Sequence, residues 1–326
     1  FLWLSRGLGD VYKRQTIDTG EIGETGLRAS VTYLHKENNG YVNDVNQPSS
    51  RDPGAAKTDG VRAAIAFEKQ SGFRANYVFD YNRSKAYSVA SQITAARPDL
   101  FAFFAGSPPA GGGTFTVSDK RLDSIALDDN GPTIDKVLGH ALTLEADIGE
   151  NATLRSITSY RHWDQDVLQG EFDGQDGLLG PIIGAGPTLF PLKLFSATAE
   201  RRQHQVSEEI NLIGKINDRF DYVLGAYFFE EKARENNPQF FTVVTPFGGI
   251  PLSSILDYGH ESSTKAVFAQ GTAHASERLN VTAGARYTWD EKKLDQTSPA
   301  PRDLDRKYES FNWAVSVDYQ VTDEVM

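Results

Sequence analysis

The stretch AVFAQGTAHASERLNVTAGARYTWDEKK, from Ala266 to Lys293, decides the fold. After the Ser-Glu-Arg turn at 276–278, Leu279, Val281, Ala283, Ala285, Tyr287 and Trp289 fall on one side of an alternating segment. Asn280, Thr282, Gly284, Arg286, Thr288 and Asp290 fall on the other. A period of two is that of a β-strand with one apolar face. Something must cover that face, although mean hydropathy over the whole chain is only -0.43.

Working outward, the same alternation recurs in about ten segments: residues 26–36, 58–70, 72–87, 136–148, 152–169, 202–215, 220–235, 262–275, 279–292 and 309–319. Many exceed the ~5–6 residues usual for strands of soluble domains. The connections carry more information than the strands. Short turns rich in Gly, Asn, Asp and Ser occupy 69–72, 149–151, 216–219 and 276–278, and these residue types adopt turn dihedrals cheaply. Between them run long polar connections, at 37–57, 88–135, 170–201, 236–261 and 293–308. Compact soluble domains rarely hold several structureless loops beyond ~12–15 residues. Transmembrane barrels alternate short turns on one side with long loops on the other. The ten steps from Leu279 to Trp289 span about 33 Å along the strand, and a tilt of ~45° reduces this to roughly 23 Å of height, near the ~25 Å apolar band of such barrels. Aromatic residues gather at both ends of the segments: Tyr81, Tyr87, Tyr160, Trp163, Tyr227, Phe228, Phe229, Tyr287 and Trp289 toward the long loops, Phe73, Phe220 and Tyr319 beside the short turns. Two interfacial girdles would give this pattern. The fold class expected is therefore all-β: an antiparallel meander forming part of a transmembrane β-barrel, with the apolar rows toward lipid.

Composition bounds the function. The 326 residues carry a net charge of -11, which argues against nucleic acid as a partner. With no cysteine, neither a disulfide framework nor a thiolate metal site exists. No run approaches the ~18 apolar residues of a membrane helix, which says nothing about barrels because only alternate residues face lipid.

The passages RRQHQVSEEINLIGKINDRFDYVLGAYFFEEK (201–232) and TKAVFAQGTAHASERLNVTAGARYTWDEKK (264–293) resemble the barrel of TonB-dependent outer-membrane receptors, as does LRASVTYLHKENNGYVNDV (27–45). The resemblance implies a barrel around a plug in the outer membrane of a Gram-negative bacterium. It also implies coupling to a TonB complex through an N-terminal part, and uptake of a scarce small ligand such as a ferric siderophore. The chain reads as the central portion of such a barrel, an incomplete fragment over residues 16–326 without plug or TonB box. Residues 1–15, FLWLSRGLGDVYKRQ, read as a non-native segment of the assembly-scar type, outside the fold. EIGETG (21–26) reads as a turn entering the first strand and QVTDEVM (320–326) as a turn leaving the last. A passive porin-like channel and a soluble all-β binding module are the alternatives.

No catalytic constellation stands out, so no enzyme is expected, and no cofactor or metal site either. The six histidines form no close ligand pair, and Gly111–Gly113 lacks the Lys-Ser/Thr of a phosphate loop. LDDNG (127–131) and DGQDG (173–177) lack full Ca²⁺-ligand spacing. Strand parity puts Arg62, Arg74, Arg155, Arg161 and Arg286 on the polar side, where they could face plug or ligand. The aromatics Phe101, Phe103, Phe104, Phe240, Phe241 and Phe247 lie on expected long loops, where they could stack on a ligand.

Overall fold

The structure is a computed structural model. It describes the chain except residues 1–2, 8–9, 70–71, 96, 99–116, 126, 128–129, 172–178, 187, 192–193, 246 and 322–326. In chain order the strands are β1 (Trp3–Gly7), β2 (Asp10–Glu21), β3 (Leu27–Asn38), β4 (Asn43–Asp44), β5 (Ala56–Lys69), β6 (Phe73–Tyr87), β7 (Ser124–Ile125), β8 (Pro132–Ile148), β9 (Ala152–Glu171), β10 (Leu179–Pro181), β11 (Leu189–Pro191), β12 (Phe195–Ile216), β13 (Phe220–Thr245), β14 (Gly248–Ser276), β15 (Leu279–Ser298) and β16 (Arg302–Tyr319). Twelve of them form one sheet in the order β1-β2-β3-β5-β6-β8-β9-β12-β13-β14-β15-β16. Every neighbour in it is antiparallel. This is a meander, and the sheet is open, since β1 and β16 do not pair with each other.

Register fixes the tilt. One cross-strand row runs Phe73, Ala146, Leu154, Leu212, Leu224, Ala269, Ala285, Trp313. Phe73 opens β6, Ala146 lies two residues from the end of β8, Leu224 four past the start of β13, and Ala285 six past the start of β15. The sheet thus slips by about one residue per strand. With ~3.3 Å per residue and ~4.8 Å between strands, that slip corresponds to a tilt of roughly 35°, the value that barrel closure uses.

The apolar rows share one face, and no described residue covers it. Val31 is 50% exposed, Ile65 48%, Leu224 47% and Val267 50%. The polar rows hold the more enclosed positions, with Asn211 at 5% and Ala266 at 3%. Side chains diverge on a convex surface and converge on a concave one, so the polar face is the inner wall. Counting from each short turn, the convex face stays almost wholly uncharged until Asp59 on β5, Arg83 on β6, Glu230 on β13 and Glu309 on β16, each about ten residues along. At the tilt above, the apolar band is about 24 Å high. Among the described residues Glu208 interrupts its middle, and its carboxylate accepts hydrogen bonds from Ser156 Oγ at 2.6 Å and Thr158 Oγ1 at 2.5 Å.

Phe73, Phe220 and Tyr319 line the convex face at the short turns, and Tyr81, Tyr160, Phe228, Tyr287 and Trp289 line it at the far edge. Trp163, Tyr227 and Phe229 differ from the sequence reading: register turns them to the concave wall. There the Trp163 Nε1 donates to Asp135 Oδ1 at 3.0 Å.

Two further differences emerge. Residues 1–15 are set outside the fold by sequence, yet β2 pairs with β3 from Asp10↔Asn38 to Glu21↔Arg28, so residues 21–26 close a hairpin and do not start the sheet. Nearly every β2 side chain is exposed, so its backbone ladder, more than an apolar pattern, places it. The expected loops at 236–261 and 293–308 are largely strand. β13 and β14 stay paired as far as Thr245↔Gly248, and β15 and β16 as far as Gln296↔Arg302. Above the apolar band both faces meet water, so the ladder continues with no alternation to announce it.

At the long-loop end, β4 and β7 pair in parallel and enclose a small core of Val42, Ile125 and Leu127. Asp44, 1% exposed, accepts from the backbone N–H of Leu127 and Asn46 through Oδ1, while its own N–H donates to Asp52 Oδ1 at 2.9 Å. Removing such an acceptor strands buried donors at about 1–3 kcal/mol. Asp44→Ala should therefore open the 39–55 and 121–131 segments to proteases while the sheet stays intact, as peptide mapping of a limited digest would show.

Candidate functional site

The concave wall collects the five arginines picked out by parity, but in three different settings. Near the short turns, Arg74 and Arg155 flank Glu145 in register. Arg74 Nε donates to Glu145 Oε2 at 2.8 Å and Arg155 Nε donates to Glu145 Oε1 at 2.5 Å. Arg74 also reaches Asp147 Oδ1 at 2.9 Å, and that carboxylate accepts from Thr153 Oγ1. These two guanidinium groups are neutralised by acids on their own strands' neighbours. Their evident role is to tie β6, β8 and β9 together where the strands turn.

Arg62, Asp80, Gly139 and Arg161 form a second row, about seven to nine residues above the short turns. The Asp80 carboxylate lies across Gly139, where an added Cβ would meet Oδ1 at 2.7 Å, so any larger residue would displace it. Arg62 and Arg161 border a cleft of about 490 Å³ that Arg14, Asp80 and Asn82 also line. Neither arginine has a carboxylate within ion-pair distance among the described residues.

Arg286 lies at the same level on β15. Its guanidinium carbon is 5.5 Å from the ring centroids of both Tyr227 and Phe268, and Nε donates to Thr288 Oγ1 at 3.2 Å. The Phe268 ring lies flat over Gly225, occupying the space a Cβ would need. It too lacks an acidic partner among the described residues. The aromatic faces supply a weak counter-charge without neutralising it. Three arginines at one height on the inner wall thus keep their charge available, and two do not.

The structure adds a network that the sequence reading missed. Above the apolar band, Arg201 Nη2 donates to Glu235 Oε1 at 2.8 Å, and Tyr258 donates its hydroxyl to Glu235 Oε2 at 2.8 Å. Gln203 Nε2 reaches Glu231 at 2.9 Å beside them. Parity along 201–211 does put Arg201, Gln203, Gln205, Glu209 and Asn211 on one side, and that was the available signal. The Arg201 guanidinium holds the Glu235 carboxyl below the usual glutamate range, with Tyr258 assisting and burial opposing.

The three described aromatics of that set do not assemble into one platform. Phe101, Phe103 and Phe104 lie outside the described residues. Phe240 and Phe241 are on β13, not on a loop, and alternate across it. Phe241 pairs with Phe195 and Leu252 on the concave side, and Phe240 pairs with Ser196 and Ser253 on the convex side. Phe247, 84% exposed, caps the hairpin. Among the described residues no three His, Cys, Asp or Glu side chains group as a metal site.

A family profile described as "TonB dependent receptor-like, beta-barrel" matches residues 12–326. The chain belongs to that family. TonB-dependent receptors are outer-membrane β-barrel transporters of Gram-negative bacteria, not enzymes. Among curated proteins no relative matches the sequence. Similar solved structures include the ferric yersiniabactin uptake receptor FyuA from Yersinia pestis, at 14% identity and a TM-score of 0.64, matched over 97% of this chain and 44% of that one. The siderophore receptor PiuA from Acinetobacter baumannii is similar at 12% identity and a TM-score of 0.63, over 98% and 48%. BauA, the ferric preacinetobactin receptor from the same species, is similar at 10% identity and 0.62, over 99% and 44%. At these identities the likeness shows the fold, and this TonB-dependent receptor chain spans less than half the length of each of the three.

The depressed Glu235 carboxyl has a pH consequence. A group whose folded pKa lies below its unfolded value adds stability that is complete above the unfolded value, about 4.3 for glutamate, and is lost as pH falls through the folded one. The β12–β13–β14 wall should hold from neutrality down through the ordinary glutamate range and loosen only below it. Arg201→Gln should move that onset upward, read by peptide-resolved hydrogen exchange corrected for intrinsic pH dependence.

Proposed function

We propose that this chain forms part of the barrel of an active transporter that takes up a scarce anionic ligand of the ferric-siderophore class, with the convex apolar band in contact with outer-membrane lipid. Coupling to TonB, through the plug and N-terminal box that the family resemblance implies, supplies the energy. The observation that carries the ligand class is the set of uncompensated arginines, Arg62, Arg161 and Arg286, at one level of the concave wall. In a narrow lumen with low-dielectric walls such charges focus a positive potential that concentrates anions. The names of the similar structures, ferric yersiniabactin and ferric preacinetobactin receptors among them, agree with that class. Arg74 and Arg155 serve the wall instead of the ligand. Phe241 and Phe247 are candidates for first contact at the mouth.

A siderophore panel tested on the full-length receptor checks this reading. Arg161→Gln and Arg286→Gln should each weaken binding of the preferred ferric complex about tenfold or more, the loss of one charge-assisted contact. Arg74→Gln should lower thermal stability and leave affinity nearly unchanged. Uptake should stop when the proton-motive force is collapsed; uptake that continues would indicate a passive channel. For the lipid-facing band, Val267→Arg near its upper edge and Ala283→Arg near its middle should both impair assembly. The second should cost more, up to about 2–4 kcal/mol, measured as the loss of the compact, heat-modifiable species on gels.

A further inference from the structure

Arg62 on β5 stands directly opposite Asp80 on β6, and the row continues through Gly139 on β8 to Arg161 on β9. Opposite charges facing each other across a ladder ordinarily pair. Three such couples on the concave wall do so: Arg74 with Glu145, Arg155 with Glu145, and Arg201 with Glu235. Arg62 and Asp80 do not. Among the described residues no cation lies within ion-pair distance of Asp80, and no acid lies within that distance of Arg62, Arg161 or Arg14.

A glycine is the cause. The Asp80 carboxylate leans over Gly139, where Oδ1 and Oδ2 lie 2.7 Å and 3.0 Å from the place a Cβ would take. The acid is thereby held between two arginines and bonded to neither. The three charges, with Arg14 and Asn82, line the cleft of about 490 Å³ described above. Along the row their order is cation, acid, cation.

That order says what fits. A purely anionic group drawn by the arginines meets Asp80, and a purely cationic group drawn by Asp80 meets the arginines. A group that carries both signs side by side satisfies the cleft. An ammonium next to a carboxylate, as at an α-amino acid end, donates N–H groups to Asp80 while its carboxylate takes a guanidinium through two parallel hydrogen bonds. Neighbouring strands are only ~4.8 Å apart, so acid and arginine are near enough for one such group to bridge them. We propose that this cleft binds a zwitterionic ammonium–carboxylate end of the transported ligand, with Asp80 taking the ammonium and Arg62 or Arg161 the carboxylate. The inference deepens the uptake reading of the preceding subsection and rests on it: the cargo is a ferric complex, anionic overall, that carries one amino-acid end.

Two ferric trihydroxamate probes differing in one end group, a free α-amino acid or its N-acetyl derivative, test this by calorimetric titration of the full-length receptor in detergent. The free-amine probe should bind about tenfold tighter, the equivalent of one charge-assisted contact. Asp80→Asn should abolish that preference, weakening the free-amine probe and favouring the acetylated one. Gly139→Ala, which displaces the carboxylate, should abolish it too, with a thermal melt to check that each variant folds. Equal binding of the two probes, no binding of the free-amine probe, or a preference that survives Asp80→Asn would overturn the site. Survival of the preference together with a lowered Tm would assign Asp80 to a contact inside the protein instead. If Arg161→Gln weakens both probes while neither is preferred, only the zwitterion is lost. If Arg161→Gln and Arg286→Gln leave both probes unaffected, the ligand role of the arginines is lost with it.

Discussion

Backbone amides cannot be left unpaired where water is absent, and this requirement organises the molecule. Each missing partner in hydrocarbon costs several kcal/mol, so the strands that cross an apolar layer must all be zipped to neighbours on both sides. From β3 to β15 every strand of the main sheet meets that demand, with an antiparallel partner on each side. Once the amides of those strands are paired laterally, side chains are free to be sorted by face. The period of two then delivers Val, Leu, Ile and aromatic residues to the convex side and polar residues to the concave one.

Sorting by face leaves charge on the inner wall to be managed. Where strands turn, Glu145 and Asp147 take up Arg74 and Arg155, and the result is a brace. Higher on the wall, Gly139 makes room for Asp80 beside Arg161, and Gly225 makes room for the Phe268 ring against which Arg286 lies. Glycine is used there for side-chain clearance, which lets large neighbours lie flat along the wall. The consequence is a lumen surface whose cations differ in availability although they look alike in sequence.

Much of the fold could be read from the amino acids because one solvent boundary imposes one rule on every strand. The ten alternating segments correspond to β3, β5, β6, β8, β9 and β12 to β16, with ends that differ mainly where the strands leave the band. The rule lapses there, so the upper halves of β13 and β14 pass for loops, and β2 goes unnoticed because its side chains are almost all exposed. The family was legible in three diffuse passages, and the match over residues 12–326 agrees with them. The candidate site was legible only as a face. Parity puts all five arginines on the polar side, but whether each meets an acid depends on cross-strand register. That register is set by turn geometry and by the slip of one residue per strand, and neither shows in a single segment. For the same reason Phe240 and Phe241, neighbours in sequence, end on opposite sides of a strand.

The hairpin of β13 and β14, 26 and 29 residues long, continues far past the level at which the β5–β6 hairpin stops. It does not stand alone there: β12 follows β13 as far as Phe195↔Phe241, β15 follows β14 as far as Asp257↔Ser298, and Ile182 bridges Gly249 beside the tip. Mechanically it is a mast stayed on both flanks, which gives the mouth reach into the surroundings from a hydrogen-bonded element that its neighbours brace almost to the top.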